Sequence, residues 1–150
     1  MRLLDDNLTA KADLFIATCE ELAQRKLSVY FDSLDIRFIC NETAAALALT
    51  KPVKYTYRFA WDRPQDEDKV IAGIELLKRA GIKAYKLMFY VLIGAGTTPE
   101  EDLHRVETLR RLGVKPFVMA MDKTDPYQRR FARYVNHKAI FMSIKWEEYK

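Results

Sequence analysis

Seven consecutive apolar residues, Leu87 to Ile93, followed by Gly94, Gly96 and the run Thr98-Pro99-Glu100-Glu101, constrain this chain more than any other stretch. An apolar run of strand length, rich in aromatic and β-branched residues, predicts a parallel strand buried on both faces. Two glycines then permit a sharp turn. Thr98 suits an N-cap, Pro99 the first helical position, and Glu101 completes a Thr-x-x-Glu capping box. Leu103, Val106, Leu109 and Leu112 give the next helix an apolar stripe. Acids open that helix and Arg110 and Arg111 close it, as the macrodipole favours. The stretch is one strand–loop–helix unit of an α/β protein, and the loop is where such folds bind ligands.

The same unit recurs along the chain. Leu77 to Lys83 and Leu109 to Lys115 share one device: a basic last turn, a glycine cap, then the next strand. Helices are expected over 11–25, with Phe15, Cys19 and Leu22 on one face, over 42–50, over 66–80 with Val70, Ile71, Ile74 and Leu77 inward, and from 99. Strands are expected at 2–4, 27–31, 54–61, 86–93 and 116–121, beginning about 25 to 32 residues apart, the spacing of consecutive βα units. Five units suit a partial barrel or an open parallel sheet. Residues 1–122 form this α/β unit, and 123–150 form a basic helical tail packed on it.

The chain holds 150 residues, enough for one core, with a net charge of +4. The tail carries seven Lys/Arg against Asp125, Glu147 and Glu148, so the whole excess lies there. That charge permits an acidic or nucleic-acid partner, although a solvated helix face explains it more simply. No apolar run approaches the roughly 20 residues of a membrane span. The N-terminus lacks the zones of a signal peptide. Cys19 and Cys40 offer neither a disulfide framework nor metal-ligand spacing, so the expected setting is cytoplasmic and Cys19 is a packed core thiol.

Carboxylates collect at the strand ends: Asp5 and Asp6, Asp32 and Asp35, Asp62, and Asp122. In parallel α/β folds that rim is the binding edge. It could hold a metal, sugar hydroxyls or a cationic ligand. Individually, each Asp also suits a turn or helix cap. His104 reads as a surface residue and His137 as a helix-start or loop residue, neither in a catalytic pattern. Gly94-x-Gly96 lacks the third glycine of a dinucleotide fingerprint and the Gly-Lys-Ser/Thr of a P-loop.

Taken in order, Leu3 to Thr9, Leu34-Asp35-Ile36-Arg37, Tyr57 to Asp62, Phe89 to Gly94 and Thr97 to Glu101 resemble the C-terminal half of a radical S-adenosylmethionine (radical SAM) enzyme domain. The resemblance extends to the tail at Lys138 to Phe141 and Glu147 to Tyr149. It implies part of a TIM-like (β/α)6 partial barrel supplying about its third to sixth core strands. It also implies S-adenosylmethionine as cofactor: Asp35 and Arg37 near its ribose and carboxylate, Asp62 at the next strand tip, and the backbone of Ile93 and Gly94 beside the adenine. Asp5 and Asn7 would face the substrate cavity.

The family's Cys-x-x-x-Cys-x-x-Cys motif, which holds a 4Fe-4S cluster, is absent, and Cys19 and Cys40 cannot replace it. The chain alone is therefore expected to be inactive and without a metal site. Its parent reaction would be reductive cleavage of S-adenosylmethionine to start radical chemistry on an unknown substrate. A partner chain supplying the missing strands, or self-association, is expected from an open edge at residues 2–4 and an uncovered interior face. Tyr30, Phe59, Phe89 and Val91 are the candidates for that face. The alternative is a non-catalytic assembly module that docks on such a chain or binds nucleic acid through its basic tail. A third reading is a small metal-dependent enzyme using the Asp rim.

Overall fold

The computed structural model describes residues 2–3, 7–31 and 34–149. The described residues hold six strands, with a helix between successive strands except β3 and β4: β1 Arg2–Leu3, α1 Ala12–Gln24, β2 Ser28–Phe31, α2 Asn41–Ala48, β3 Lys51–Pro52, β4 Tyr57–Ala60, α3 Glu67–Arg79, β5 Leu87–Ile93, α4 Pro99–Arg111, β6 Lys115–Ala120, α5 Pro126–Asn136 and α6 Lys138–Ser143. They form two three-stranded sheets, in order β1-β2-β3 and β4-β5-β6. Every pairing is parallel, with β5 flanked by Tyr57 to Ala60 on one side and Lys115 to Ala120 on the other. Among the described residues, no hydrogen-bonded ladder joins β2 to β4. Side chains bridge the gap: the Phe31 and Tyr57 rings lie 5.9 Å apart, and the Arg58 guanidinium sits 5.3 Å from the Tyr30 ring centroid.

The α4 N-terminus forms as its sequence dictates. Thr98 Oγ1 accepts from the Glu101 N–H at 3.3 Å, and Glu101 Oε2 accepts from the Thr98 N–H at 2.9 Å, so two otherwise orphaned donors are met reciprocally. Asp125 caps α5 by accepting from the Gln128 N–H, and His137 stands at the N-cap of α6, a helix-start position.

Strand pleat divides the sheet into two unlike faces. Val29, Phe31, Tyr57, Phe59, Phe89, Val91, Ile93 and Val118 join Phe15, Leu22, Ile74, Leu77, Val106 and Leu109 of the helices in one core. Residues of opposite parity are left half-buried or exposed: Tyr30, Arg58, Tyr90, Leu92, Phe117 and Met119. Three sequence expectations are corrected here. β5 is not buried on both faces, because its Tyr90 and Leu92 remain partly accessible. Phe59, Phe89 and Val91 lie in the core rather than on the uncovered face; of the four residues expected there, Tyr30 alone occupies it. The strand expected over 54–61 is split: Lys54 and Tyr55 take left-handed backbone angles (φ 55° and 57°), separating β3 from β4. With that turn, the described residues hold six strands in two sheets, where five were expected.

The tail packs into the same core through Phe131, Tyr134, Val135 and Phe141. Trp146 meets Phe131 edge-on at 5.0 Å, and Arg130 lies 4.9 Å over the Trp146 ring while bonding the Tyr149 carbonyl. Among the described residues, no helix is long and apolar enough to cross a membrane.

Candidate functional site

A cleft of about 280 Å³ opens at the carboxyl ends of β2 and β4. Its walls include Asn7, Asp35, Arg37, Arg58, Asp62, Arg63, Asp66 and Tyr90. Four residues singled out in the sequence thus border one space: Asn7, Asp35, Arg37 and Asp62. Asp5, Asp6, Asp32 and Ser33 lie outside the described residues.

Asp35 and Arg37 are held by the turn between β2 and α2. Asp35 is the N-cap of a single 3-10 turn, Ile36–Phe38, and accepts from the Arg37 N–H at 3.0 Å. The Arg37 guanidinium then folds back onto the same carboxylate, with Nε 2.9 Å from Oδ1 and Nη2 2.6 Å from Oδ2. That hydrogen-bonded guanidinium holds the Asp35 carboxyl below its ordinary range. Asn7 Nδ2 approaches Asp35 Oδ2 at 3.4 Å, and Thr9 Oγ1 receives the Asp35 N–H at 3.0 Å, so the segment before α1 is tied to the same carboxylate loop.

α3 sits close beneath this turn because residue 73 is glycine. A Cβ there would meet the Ile36 side chain at 2.6 Å and its carbonyl oxygen at 2.9 Å. The helix N-terminus also brings Asp66 within 3.7 Å of Arg37 and 3.6 Å of Arg63.

Asp62, just past β4, turns its carboxylate to the Leu92 N–H at 3.1 Å and so links the β4 and β5 tips. Below it lies a network no sequence pattern suggested. Arg105 of α4, fully buried, donates to the carbonyls of Trp61, Asp62 and Leu92 and to Asp102 Oδ1. Tyr127 and Thr97 hydroxyls also donate to the Asp102 carboxylate. Burial, with Asp102 beside it, pushes the Tyr127 hydroxyl pKa well up.

Ile93 and Gly94 are placed apart from the cleft. The Ile93 side chain is fully buried and its carbonyl accepts from the Met121 N–H at 3.1 Å. Gly94, at φ +79°, faces α5, where a Cβ would strike the Gln128 amide at 2.4 Å. Asp122 accepts from Thr124, which lowers its pKa, and serves as a turn residue. His104 is exposed, its Nε2 2.8 Å from Glu67 Oε1.

Arg58 was not singled out in the sequence, because the motif Tyr57 to Asp62 presents it as one strand residue among aromatics. It lines the cleft, and its Nη1 is shielded from solvent with no hydrogen-bond partner among the described residues. Leaving such a donor unmet costs on the order of 1–3 kcal/mol.

The two cysteines do not fit an iron–sulfur cluster. Cys19 is fully buried in the core and burial pushes its thiol up to about 12, whereas Cys40 caps α2 with its sulfur 3.4 Å from Thr43 Oγ1. Among the described residues, no group of three or more His, Cys, Asp or Glu is arranged to hold a metal ion. Comparison with family models, with curated proteins and with solved structures finds no match.

Proposed function

We propose that the cleft at the β2 and β4 ends binds S-adenosylmethionine, and that the chain is the C-terminal half of a radical SAM-like (β/α)6 partial barrel. The carrying observation is the convergence of Asn7, Asp35, Arg37 and Asp62 on one cleft. S-adenosylmethionine presents a ribose diol, a carboxylate and an ammonium group, so it needs acceptors and a guanidinium side by side. Asp35 and Arg37 provide both. Their ion pair is partly exposed, and such pairs contribute at most about 1 kcal/mol, so a zwitterion can open it at little cost. Asp62 would offer acceptors to the ribose. The parallel strands following one another in chain order, with one face left uncovered, also support the half-barrel reading.

The reductant for cleaving S-adenosylmethionine to a 5′-deoxyadenosyl radical would have to be a cluster held outside this chain. The cluster ligands are not among this chain's residues, so its own part is to bind and orient the cofactor. The complementary half would come from further strands, on a partner chain or elsewhere in a longer protein.

The uncovered sheet face favours a second reading, a non-catalytic module that docks on a chain supplying those strands. Binding nucleic acid would instead use Arg129, Arg130 and Arg133 of α5, which line a second cleft with Tyr149.

Calorimetric titration tests the main reading. S-adenosylmethionine should bind with about millimolar affinity, roughly −4 kcal/mol. Arg37→Ala should abolish the signal while helical circular dichroism is preserved. Unchanged affinity in that variant would reject the assignment.

A further inference from the structure

Building on the reading of this cleft as a binding site, we infer that Arg58 anchors the oxyanion group of a second ligand: a small organic anion with a flat apolar body. The cleft carries three arginines and three aspartates. Arg37 is committed to Asp35, Arg37 and Arg63 both approach Asp66, and Asp62 accepts from the Leu92 N–H. Among the described residues, Arg58 is the cleft cation without an acidic partner. It stacks on Tyr30, makes no ion pair among the described residues, and keeps Nη1 shielded and unbonded. A guanidinium does not deprotonate to escape such a site, and its planar donors match a carboxylate or phosphate.

What lies beside the guanidinium defines the rest of the ligand. Arg58 pairs in register with Met88, which is buried, and Ala60 with Tyr90, which is partly accessible. Tyr90 meets Phe117 edge-on at 5.7 Å, leaving an aromatic floor beside the charge. A flat apolar body resting on Tyr90 would place its oxyanion at Arg58. Asp35 and Arg37, the groups proposed to hold S-adenosylmethionine, border the same cleft, so the two ligands would be neighbours.

The test titrates the full chain with benzoate, phenyl phosphate and neutral benzamide, and repeats the series with Arg58→Met. Wild type should bind at least one of the anions and not benzamide, with affinity reduced at least about tenfold in Arg58→Met. The carboxylate–phosphate preference names the oxyanion. Because Arg58→Met removes an unmet donor while keeping most of the volume, its unfolding temperature should equal or exceed that of wild type. Equal binding of benzamide, unchanged anion binding in the variant, binding of neither anion, or a variant that fails to fold would each overturn the assignment. S-adenosylmethionine titration of wild type is independent of these outcomes: anion binding without it preserves the Arg58 site and rejects the cofactor reading, and the converse rejects Arg58 alone.

Discussion

Arg105 reaches out of α4 to donate to the main-chain carbonyl of Trp61 at 2.8 Å, and so fixes the β4 tip from beneath. The same guanidinium holds the carbonyls of Asp62 and Leu92 and neutralises buried Asp102. Arg105→Ala leaves buried Asp102 without its cation, held by the Thr97 and Tyr127 hydroxyls alone, and takes one donor from each of three carbonyls. The expected loss is about 3–5 kcal/mol of unfolding free energy, read from urea denaturation. A loss below about 1 kcal/mol would mean that the network relaxes or takes up water.

Acid should release the Asp35 turn only below the ordinary carboxylate range. The folded carboxyl has a pKa below its ordinary 3.8, chiefly because Arg37 bonds to it. A depressed carboxylate contributes stability that is present above the unfolded pKa and lost as pH falls through the folded value. The window therefore lies below about pH 4. Carbon-detected titration of Asp35 should give a midpoint below 3.8 in wild type and a clear upward move in Arg37→Ala. An unmoved midpoint would mean that Arg37 is not its partner in solution.

The two thiols should react very differently. Cys19 is buried among core residues with its pKa raised to about 12, while Cys40 is partly accessible. Under native conditions at pH 8, a thiol reagent should label Cys40 rapidly and Cys19 only on unfolding. The sign for stability is also defined: the unfolded thiol ionises first, so the Cys19 contribution is full below its ordinary pKa and declines as pH rises toward about 12. Fast native labelling of both thiols would show that α1 is not packed as described.

Much of this architecture is legible in the sequence because local rules and burial agree. The Thr98–Glu101 capping box, the Phe15–Cys19–Leu22 stripe and the glycine stops after α3 and α4 each specify one element. The face of β5 was not legible, because Leu87 to Ile93 is apolar at every position and period-two alternation carries no signal there. Arg105 was hidden for the opposite reason: an arginine in a charged helix reads as surface, and only tertiary packing turns it inward. Gly73 in α3 is a weak helix residue whose purpose emerges only once Ile36 lies against it. Among the site residues, Asp35 and Asp62 stood out by following strand ends, and Arg37 only through the family resemblance. Arg58 did not, since nothing in sequence distinguishes an unmet buried donor from a paired one.

The uncovered sheet face carries its own expectation. Phe117 is 37% and Met119 48% exposed, beside partly accessible Tyr90 and Leu92. Apolar patches of this kind promote association. Sedimentation at low micromolar concentration should show self-association that Phe117→Glu with Met119→Glu reduces. If Leu3→Pro reduces it instead, pairing runs along the β1 edge, since proline removes a strand donor. A monomer under these conditions would show that the face needs no cover.

Titrating S-adenosylmethionine into isotopically labelled chain, with backbone amide resonances as the readout, probes binding at the β2–β4 cleft residue by residue. Saturable shifts should concentrate at Asn7, Asp35, Arg37 and Asp62, with α5 and the aromatic tail undisturbed. Absence of shifts at millimolar cofactor, or shifts confined to residues away from those four, would contradict it.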